Sequence, residues 1–376
     1  MSAVSRVSPA QAEEIARRHY GVDGSAERLS AEFDDAFRLI ATDDSSWFVK
    51  ICLADGASTA AGADTAASTD TAASTAVSFQ TAVLLHLAAV APGLPVQRVV
   101  PALDGRPEVS MAGNGHHRLV RMTSWLDGEL LSRADSSAAL RRDLGATLGR
   151  LSVALRGFSH PGALRTHRWD LQHLDRLRGP LADLPGDGVL PEVAARLDAG
   201  PPSAALPSGL RAGLEDYLDR FESVLLPRLA GVPVQVIHSD FHGENLLCDA
   251  ARITGILDFG DALTGPVAMD VAVAACYQLA GSPGDPGSDV LGPALDVVAG
   301  YHGVDPLGVA DLELVADFLV GRVAARIILS QWHAMREPSN RGYLLRRTPQ
   351  AIELFAALRL LSPEDIVGRL RAVLSL

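Results

Sequence analysis

The sequence predicts an α+β chain in two unequal parts, a small front unit built on an antiparallel sheet and a larger, mainly helical remainder. Three observations carry this. Between residues 28 and 53, two runs rich in aromatic and branched side chains, Phe33 to Ala41 and Trp47 to Leu53, flank Thr42-Asp43-Asp44-Ser45-Ser46, the pattern of a hairpin. From Ala54 to Ser78 the chain is almost wholly Ala, Ser, Thr, Gly and Asp, and the hexamer DTAAST occurs twice in tandem. Such a stretch has too few apolar groups to offset the entropy of ordering, so it reads as a flexible insertion at 54–78. Beyond residue 123 apolar side chains recur at helical spacing.

The elements follow in order. Ser8 as N-cap and Pro9 at the first helical position predict a short helix over 9–19. After the hairpin and the insertion, Phe79, Val83, Leu84 and Leu87 predict a helix that Ala91-Pro92-Gly93 ends. Val99-Val100 and Leu119-Val120 are strand candidates, and Trp125-Leu126-Asp127-Gly128 reads as a turn between lobes. Leu140, Leu144, Leu148, Leu151 and Leu155 form one helical stripe, and residues 208–230, 308–336 and 346–374 read as further helices. Pro and Gly cluster at 179–209 and 281–287, which predicts surface loops. The expected division is 1–123 and 124–376.

Composition narrows the function. A chain of 376 residues with 48% apolar content can bury a large core, and a net charge of −12 argues against nucleic acid or anionic membrane as partners. Three widely spaced cysteines, Cys52, Cys248 and Cys276, support neither a disulfide framework nor a zinc knuckle and fit a reducing cytoplasm. The N-terminus carries acids where a signal peptide needs an apolar run, and no stretch reaches about 18 uncharged apolar residues, so no membrane association is expected. Of 33 basic residues, one is lysine, Lys50, on the second strand of the hairpin. A lone ammonium in an arginine-rich chain suggests a confined site that a guanidinium does not fit.

The chemistry concentrates between 236 and 270. Two apolar runs, Leu246 to Cys248 and Ile253 to Leu257, flank a polar turn, so Asn245 entering the first lies beside Asp258 leaving the second. An amide oxygen and a carboxylate that leave room for water and phosphate suit Mg²⁺. Asp240, five residues before Asn245, then faces that metal, where a carboxylate can orient a hydroxyl and accept its proton during attack on a terminal phosphate. His238 suits the position that braces the loop. His238, Asp240 and His242 also spell a zinc-like H-x-D-x-H. The joint pattern of H-x-D-x-x-x-x-N, a hairpin, D-F-G and an upstream strand lysine matches instead the order and roles of kinase motifs.

Those motifs, with Phe79-Gln80, Pro101 to Gly105, Trp125 to Gly128, Ser330-Gln331-Trp332, Pro338-Ser339-Asn340 and Tyr343, resemble the aminoglycoside phosphotransferase and choline kinase superfamily, most closely its hydroxylysine kinase-like branch. The resemblance covers nearly the whole chain. It implies a bilobal protein-kinase-like fold, with ATP or GTP in the cleft on Lys50 and the backbone of Met122, Thr123, Ser124 and Trp125, and Mg²⁺ on Asn245 and Asp258. Asp240 would be the catalytic base, with His238 and Asp270 supporting its loop. The acceptor would be a hydroxyl on a small amine-bearing metabolite, 5-hydroxylysine or a related amino alcohol. Asp261 and Glu244 are candidates for its ammonium and Arg336 or Arg341 for a carboxylate. Trp332 reads as core. The alternatives are an aminoglycoside-type antibiotic phosphotransferase and a catalytically silent nucleotide-binding module.

Two departures from the resemblance stand out. No acidic residue occurs from Thr71 to Leu103, so the helix after the lysine strand lacks the expected Glu; Gln80 or Ala76 stands near its place, which leaves two expectations, weaker nucleotide anchoring or a Lys50 that pairs with Asp258 instead. The loop Ala31 to Phe37 lacks G-x-G-x-x-G and carries Glu32, Asp34 and Asp35.

Overall fold

The computed structural model describes residues 6–29, 34–53, 69–113, 116–198, 209–280 and 289–376. Helix α1 (Pro9–Tyr20) starts with a capping box between Ser8 and Gln11 and stops at Gly21, whose φ of 69° lets the chain turn left-handed. Strands β1 (Gly24–Leu29), β2 (Asp35–Ala41) and β3 (Ser46–Leu53) follow, then helix α2 (Thr69–Val90) and strands β4 (Val99–Val100), β5 (Val109–Gly113) and β6 (His116–Ser124). They form an antiparallel sheet in the order β1-β2-β3-β6-β4, with β5 also on β6. The β2–β3 turn closes as expected, but Ser46 joins the strand, and β1 and β5 add to the strands anticipated. α2 claims residues 69–78 of the stretch read as flexible; the rest of that stretch, like 30–33 of the acidic loop and the loop at 281–287, lies outside the described residues.

Strand parity sorts the sheet's side chains. Phe37, Leu39, Val49, Ile51, Val120 and Met122 pack with Ala12, Ile15 and Tyr20 of α1 into a front core. Lys50 therefore projects from the opposite face, directly across from Arg121 in the β3–β6 register. α2 packs elsewhere: Phe79, Val83, Leu84 and Leu87 belong to the large core of the helical part.

After Ser124 the chain leaves the sheet through Trp125–Gly128. Gly128 has φ 152°, and a Cβ there would lie 2.8 Å from Thr254 Oγ1 and 2.9 Å from Leu247 Cβ, so the linker presses on the site hairpin without room for a side chain. Strand β7 (Glu129–Leu130) then pairs with β9, and helices α3 (Ala138–Leu155), α4 (Arg178–Asp183), α5 (Pro191–Asp198), α6 (Leu210–Arg220) and α7 (Leu226–Leu229) precede strands β8 (Gln235–Ile237), β9 (Leu246–Cys248), β10 (Ile253–Ile256) and β11 (Leu263–Gly265). Helices α8 (Val267–Cys276), α9 (Gly292–His302), α10 (Val309–Arg336), α11 (Arg341–Leu344), α12 (Thr348–Leu358) and α13 (Pro363–Leu374) complete the larger lobe. All five leucines of the α3 stripe are buried.

Two expectations are corrected. The stretch 179–209 is not all loop, because Val193 and Leu197 bury one face of α5 in the core. The helix expected over 346–374 breaks in two where Ser362 caps a new helix and Pro363 enters its first turn.

Candidate active site

β8 delivers His238, Ser239 and Asp240 to the end of the sheet, and α8 holds them there. Asp270, buried in an otherwise apolar helix, accepts from the backbone N–H of His238 at 2.8 Å and of Ser239 at 2.7 Å. Burial pushes the Asp270 carboxyl up even though these two donors oppose the shift. They keep Ser239 at φ 67°, a left-handed conformation that costs a non-glycine residue about 1–3 kcal/mol. The His238 ring completes the brace: Nε2 lies 2.9 Å from the Leu257 carbonyl and Nδ1 receives the Asp240 N–H at 3.3 Å. Both ring nitrogens are spent on backbone, which separates His238 from His242 and removes the zinc-like triad.

Asp240 is 20% exposed and touched from three sides. Oδ2 accepts from Asn245 Nδ2 at 2.7 Å and lies 3.0 Å from His242 Nε2. Oδ1 accepts from Arg322 Nη2 at 2.8 Å. Burial alone would raise this carboxyl; His242 and Arg322 outweigh it and hold Asp240 ionised, well below the usual carboxylate range. Arg322→Met should therefore move the acid limb of kcat/KM to higher pH, because a base with a higher pKa is emptied earlier on acidification; an unmoved limb in a pH–rate profile refutes the assignment.

Asn245 and Asp258 converge as expected. The Leu257 N–H donates to the Asn245 carbonyl at 2.9 Å. The Asn245 amide nitrogen faces Asp240, so its planar amide turns Oδ1 the other way. Asp258 follows at φ 47° with Oδ1 accepting the Gly260 N–H at 3.0 Å, and its side chain is 53% exposed. An amide oxygen and a half-exposed carboxylate form an all-oxygen pair that fits a hard divalent cation with water left in its shell. Arg165, which the sequence did not single out, clamps this turn by donating to the carbonyls of Ala262 at 3.0 Å and Gly260.

Lys50 reaches the site from the front lobe, with Nζ 3.5 Å from Asp258 and 3.1 Å from Asp34. Burial opposes its charge, yet Asp258 and Asp34 outweigh that and raise the ammonium above its ordinary range. In turn Lys50, the largest influence on Asp258, lowers that carboxyl. Of the two alternatives for Lys50, the Lys50–Asp258 pairing is the one present, and Asp34 of the acidic loop joins it. Gln80 turns away: its Oε1 accepts from Arg121 Nη2 at 3.3 Å, while Arg121 Nη1 donates to Thr81 Oγ1 at 2.9 Å. Gln80→Glu should thus leave nucleotide affinity unchanged, and tighter binding by titration would show that position 80 does reach Lys50.

The expected base-reading segment shifts. Met122 and Thr123 pair with both β3 and β4, Ser124 N–H donates to Arg98 at 2.8 Å, and Trp125 N–H donates to Ser46 at 3.4 Å. The sheet consumes these N–H groups, so Met122, Thr123 and Ser124 do not present donors to a base. Among the described residues the next peptides, Leu126 and Asp127, are unpaired.

The acceptor-side candidates divide. Glu244 is already neutralised, 2.9 Å from Arg347 and 3.5 Å from Arg346, which corrects its assignment to an ammonium. Asp261 remains at the end of the Phe259–Asp261 turn, its carbonyl 3.1 Å from His167 Nε2. Arg336 pairs with Asp183 at 2.8 Å and Arg341 with Glu192 at 2.6 Å, so neither is free for a carboxylate. Trp332, expected in the core, is half-buried between the guanidinium groups of Arg168 and Arg336.

A lysine on the sheet, an Asp–Asn pair on the loop and an Asp on the hairpin, between a β lobe and a helical lobe, define an enzyme of the protein-kinase-like fold. The model of the phosphotransferase enzyme family (APH) matches residues 25–307, and the chain belongs to that family. It is 23% identical over 374 residues to a hydroxylysine kinase of Danio rerio, covering 96% of this chain and 94% of that one. To a homoserine kinase of Gluconobacter oxydans it is 25% identical over 239 residues, 62% of this chain and 65% of that one. A solved amicoumacin kinase in complex with AMP-PNP and Ca²⁺ superposes with a TM-score of 0.59 at 16% identity, over 89% of this chain and 91% of that one. Among the described residues no helix is long and apolar enough to cross a membrane.

Proposed function

We propose that the chain transfers the γ-phosphoryl group of ATP or GTP to a hydroxyl of a small amine-bearing metabolite, 5-hydroxylysine or a related amino alcohol or hydroxy amino acid. The observation that carries this is the pair of contacts Lys50–Asp258 and Asn245–Asp240, tied by the Leu257 N–H on the Asn245 carbonyl, which sets a phosphate-binding cation and a proton acceptor along one cleft. The hydroxylysine and homoserine kinases similar to this chain support an acceptor of that size and kind. Residues 1–123 serve as the nucleotide lobe and 124–376 as the catalytic and acceptor lobe.

In this reading Lys50 neutralises the α and β phosphates, and the peptides of Leu126 and Asp127 edge the base. Asn245 and Asp258 would hold Mg²⁺, which when bound neutralises charge on the phosphates. Asp240 orients the acceptor hydroxyl through the lone pair left on Oδ1 and accepts its proton as oxygen bonds to the γ-phosphorus and the β–γ bridge breaks. A carboxylate held so firmly ionised is a weak base, which suits proton transfer that comes late in a loose transition state. His238 and Asp270 position the loop, and Asp261 faces the acceptor's ammonium.

The test is phosphate transfer from ATP and from GTP, with Mg²⁺, to 5-hydroxylysine, homoserine, choline, ethanolamine and an aminoglycoside. Turnover on hydroxylysine or homoserine is the expected result. Turnover on the aminoglycoside alone would replace the acceptor, and nucleotide binding with no turnover would establish a silent module.

A further inference from the structure

We propose that Arg326 and Arg322, one turn apart on α10, form an anion subsite that binds a carboxylate of the acceptor beside Asp240. The inference rests on the kinase reading above and names the acceptor's chemical class as a hydroxy acid. Both arginines lie on the buried face of a 28-residue helix, 2% exposed at Arg322 and 7% at Arg326. Arg322 donates from Nη2 to Asp240 and at 3.3 Å to the Tyr277 hydroxyl, yet its Nε and Nη1 are buried with no partner. Its guanidinium lies 4.8 Å from the centroid of Trp169 and 5.6 Å from that of Tyr277. Arg326 lies 4.8 Å from the centroid of the same Tyr277 ring and has no carboxylate partner among the described residues; its side-chain neighbour is the Cys276 thiol.

Charge decides what this cluster takes. Of the two guanidinium groups beside Tyr277, only Arg322 has a carboxylate partner among the described residues, Asp240, which already serves Asn245 and lies against His242. A buried excess of positive charge is costly unless an anion offsets it, and a guanidinium fork matches a carboxylate with two parallel hydrogen bonds. The side of the cleft identifies which anion. Asn245, of the expected metal pair, approaches Asp240 through Oδ2, whereas Arg322 approaches through Oδ1, the oxygen assigned above to the acceptor hydroxyl, so Arg322 stands on the acceptor's side. Tyr277 and His242, stacked at 4.5 Å, wall the same space. The same two cations would repel a polycationic antibiotic.

The test compares acids with their decarboxylated partners, 5-hydroxylysine against 1,5-diamino-2-pentanol and homoserine against 3-amino-1-propanol. Binding to the full chain is measured by calorimetry with AMP-PNP and Mg²⁺ present, so the result does not depend on turnover, and transfer is assayed in parallel. The wild type should bind an acid about 10–100-fold more tightly than its amine partner, and Arg326→Met should erase that preference with nucleotide affinity unchanged. Arg326→Lys, which keeps the charge, should retain part of it and covers the case in which Arg326→Met does not fold. Equal binding of acid and amine by the wild type overturns the subsite even if transfer is seen. So does an Arg326→Met that weakens the nucleotide and leaves the preference in place. Selective binding of the acids without any transfer would uphold the subsite and overturn the kinase reading.

Discussion

Asp240→Asn should lower phosphoryl transfer by about 10²–10⁴-fold at saturating nucleotide, with nucleotide affinity intact. Asparagine has the same shape and keeps an oxygen for Arg322, so the loop stays where Asp270 and His238 hold it. It loses the proton acceptor and the negative charge that His242 and Arg322 stabilise. The effect should fall on kcat, because the carboxylate acts as the hydroxyl loses its proton, after the acceptor has bound. A steady-state assay of nucleotide diphosphate release checks this. A rate within a few-fold of the wild type would remove Asp240 from the mechanism.

Asp270→Ala should cost about 2–5 kcal/mol of folding stability and most of the activity. The alanine leaves the buried N–H groups of His238 and Ser239 without acceptors, and each such orphan costs about 1–3 kcal/mol. Ser239 also loses what holds it at positive φ, so the loop relaxes and moves Asp240 away from Asn245. Asp270→Asn is a sharper control, since its amide offers one acceptor and turns a second donor on the other N–H. Urea denaturation gives the stability change. A loss under about 0.5 kcal/mol, the scale of a surface substitution, would show that α8 does not brace the loop.

Much of the site was legible because its parts are local. His238, Asp240, Asn245 and Asp258 lie within one loop and one hairpin, where spacing fixes which residues meet, and Asp270 follows in the first turn of α8. The leucine stripe of α3 and the span of α10 were equally plain, since a buried face writes its period into the sequence. What escaped depends on contacts far apart in the chain. β1 is a short edge strand of alternating exposure that carries no apolar run. Arg322 stands 82 residues from Asp240, and no local pattern joins them. A signal was nonetheless present: Arg322 and Arg326 occupy core-facing positions between Leu319, Val323 and Ile327, where a charge is out of place unless it has work to do. Arg336 and Arg341 drew attention by proximity to a motif, but neighbouring acids claim them. Sheet pairing, which sequence does not show, extends to Trp125, so the first unpaired peptides among the described residues lie just beyond the segment expected to read the base.

The diversion of Gln80 to Arg121 bears on control. Where a strand lysine depends on a helix glutamate, displacing that helix disconnects the lysine and silences the enzyme. Here the lysine takes its counter-charges from Asp34 and Asp258, while α2 is fastened to the sheet through Arg121 and seated in the opposite lobe's core. A sideways movement of α2 would leave the ammonium anchored. The charge balance at the lysine therefore does not run through α2.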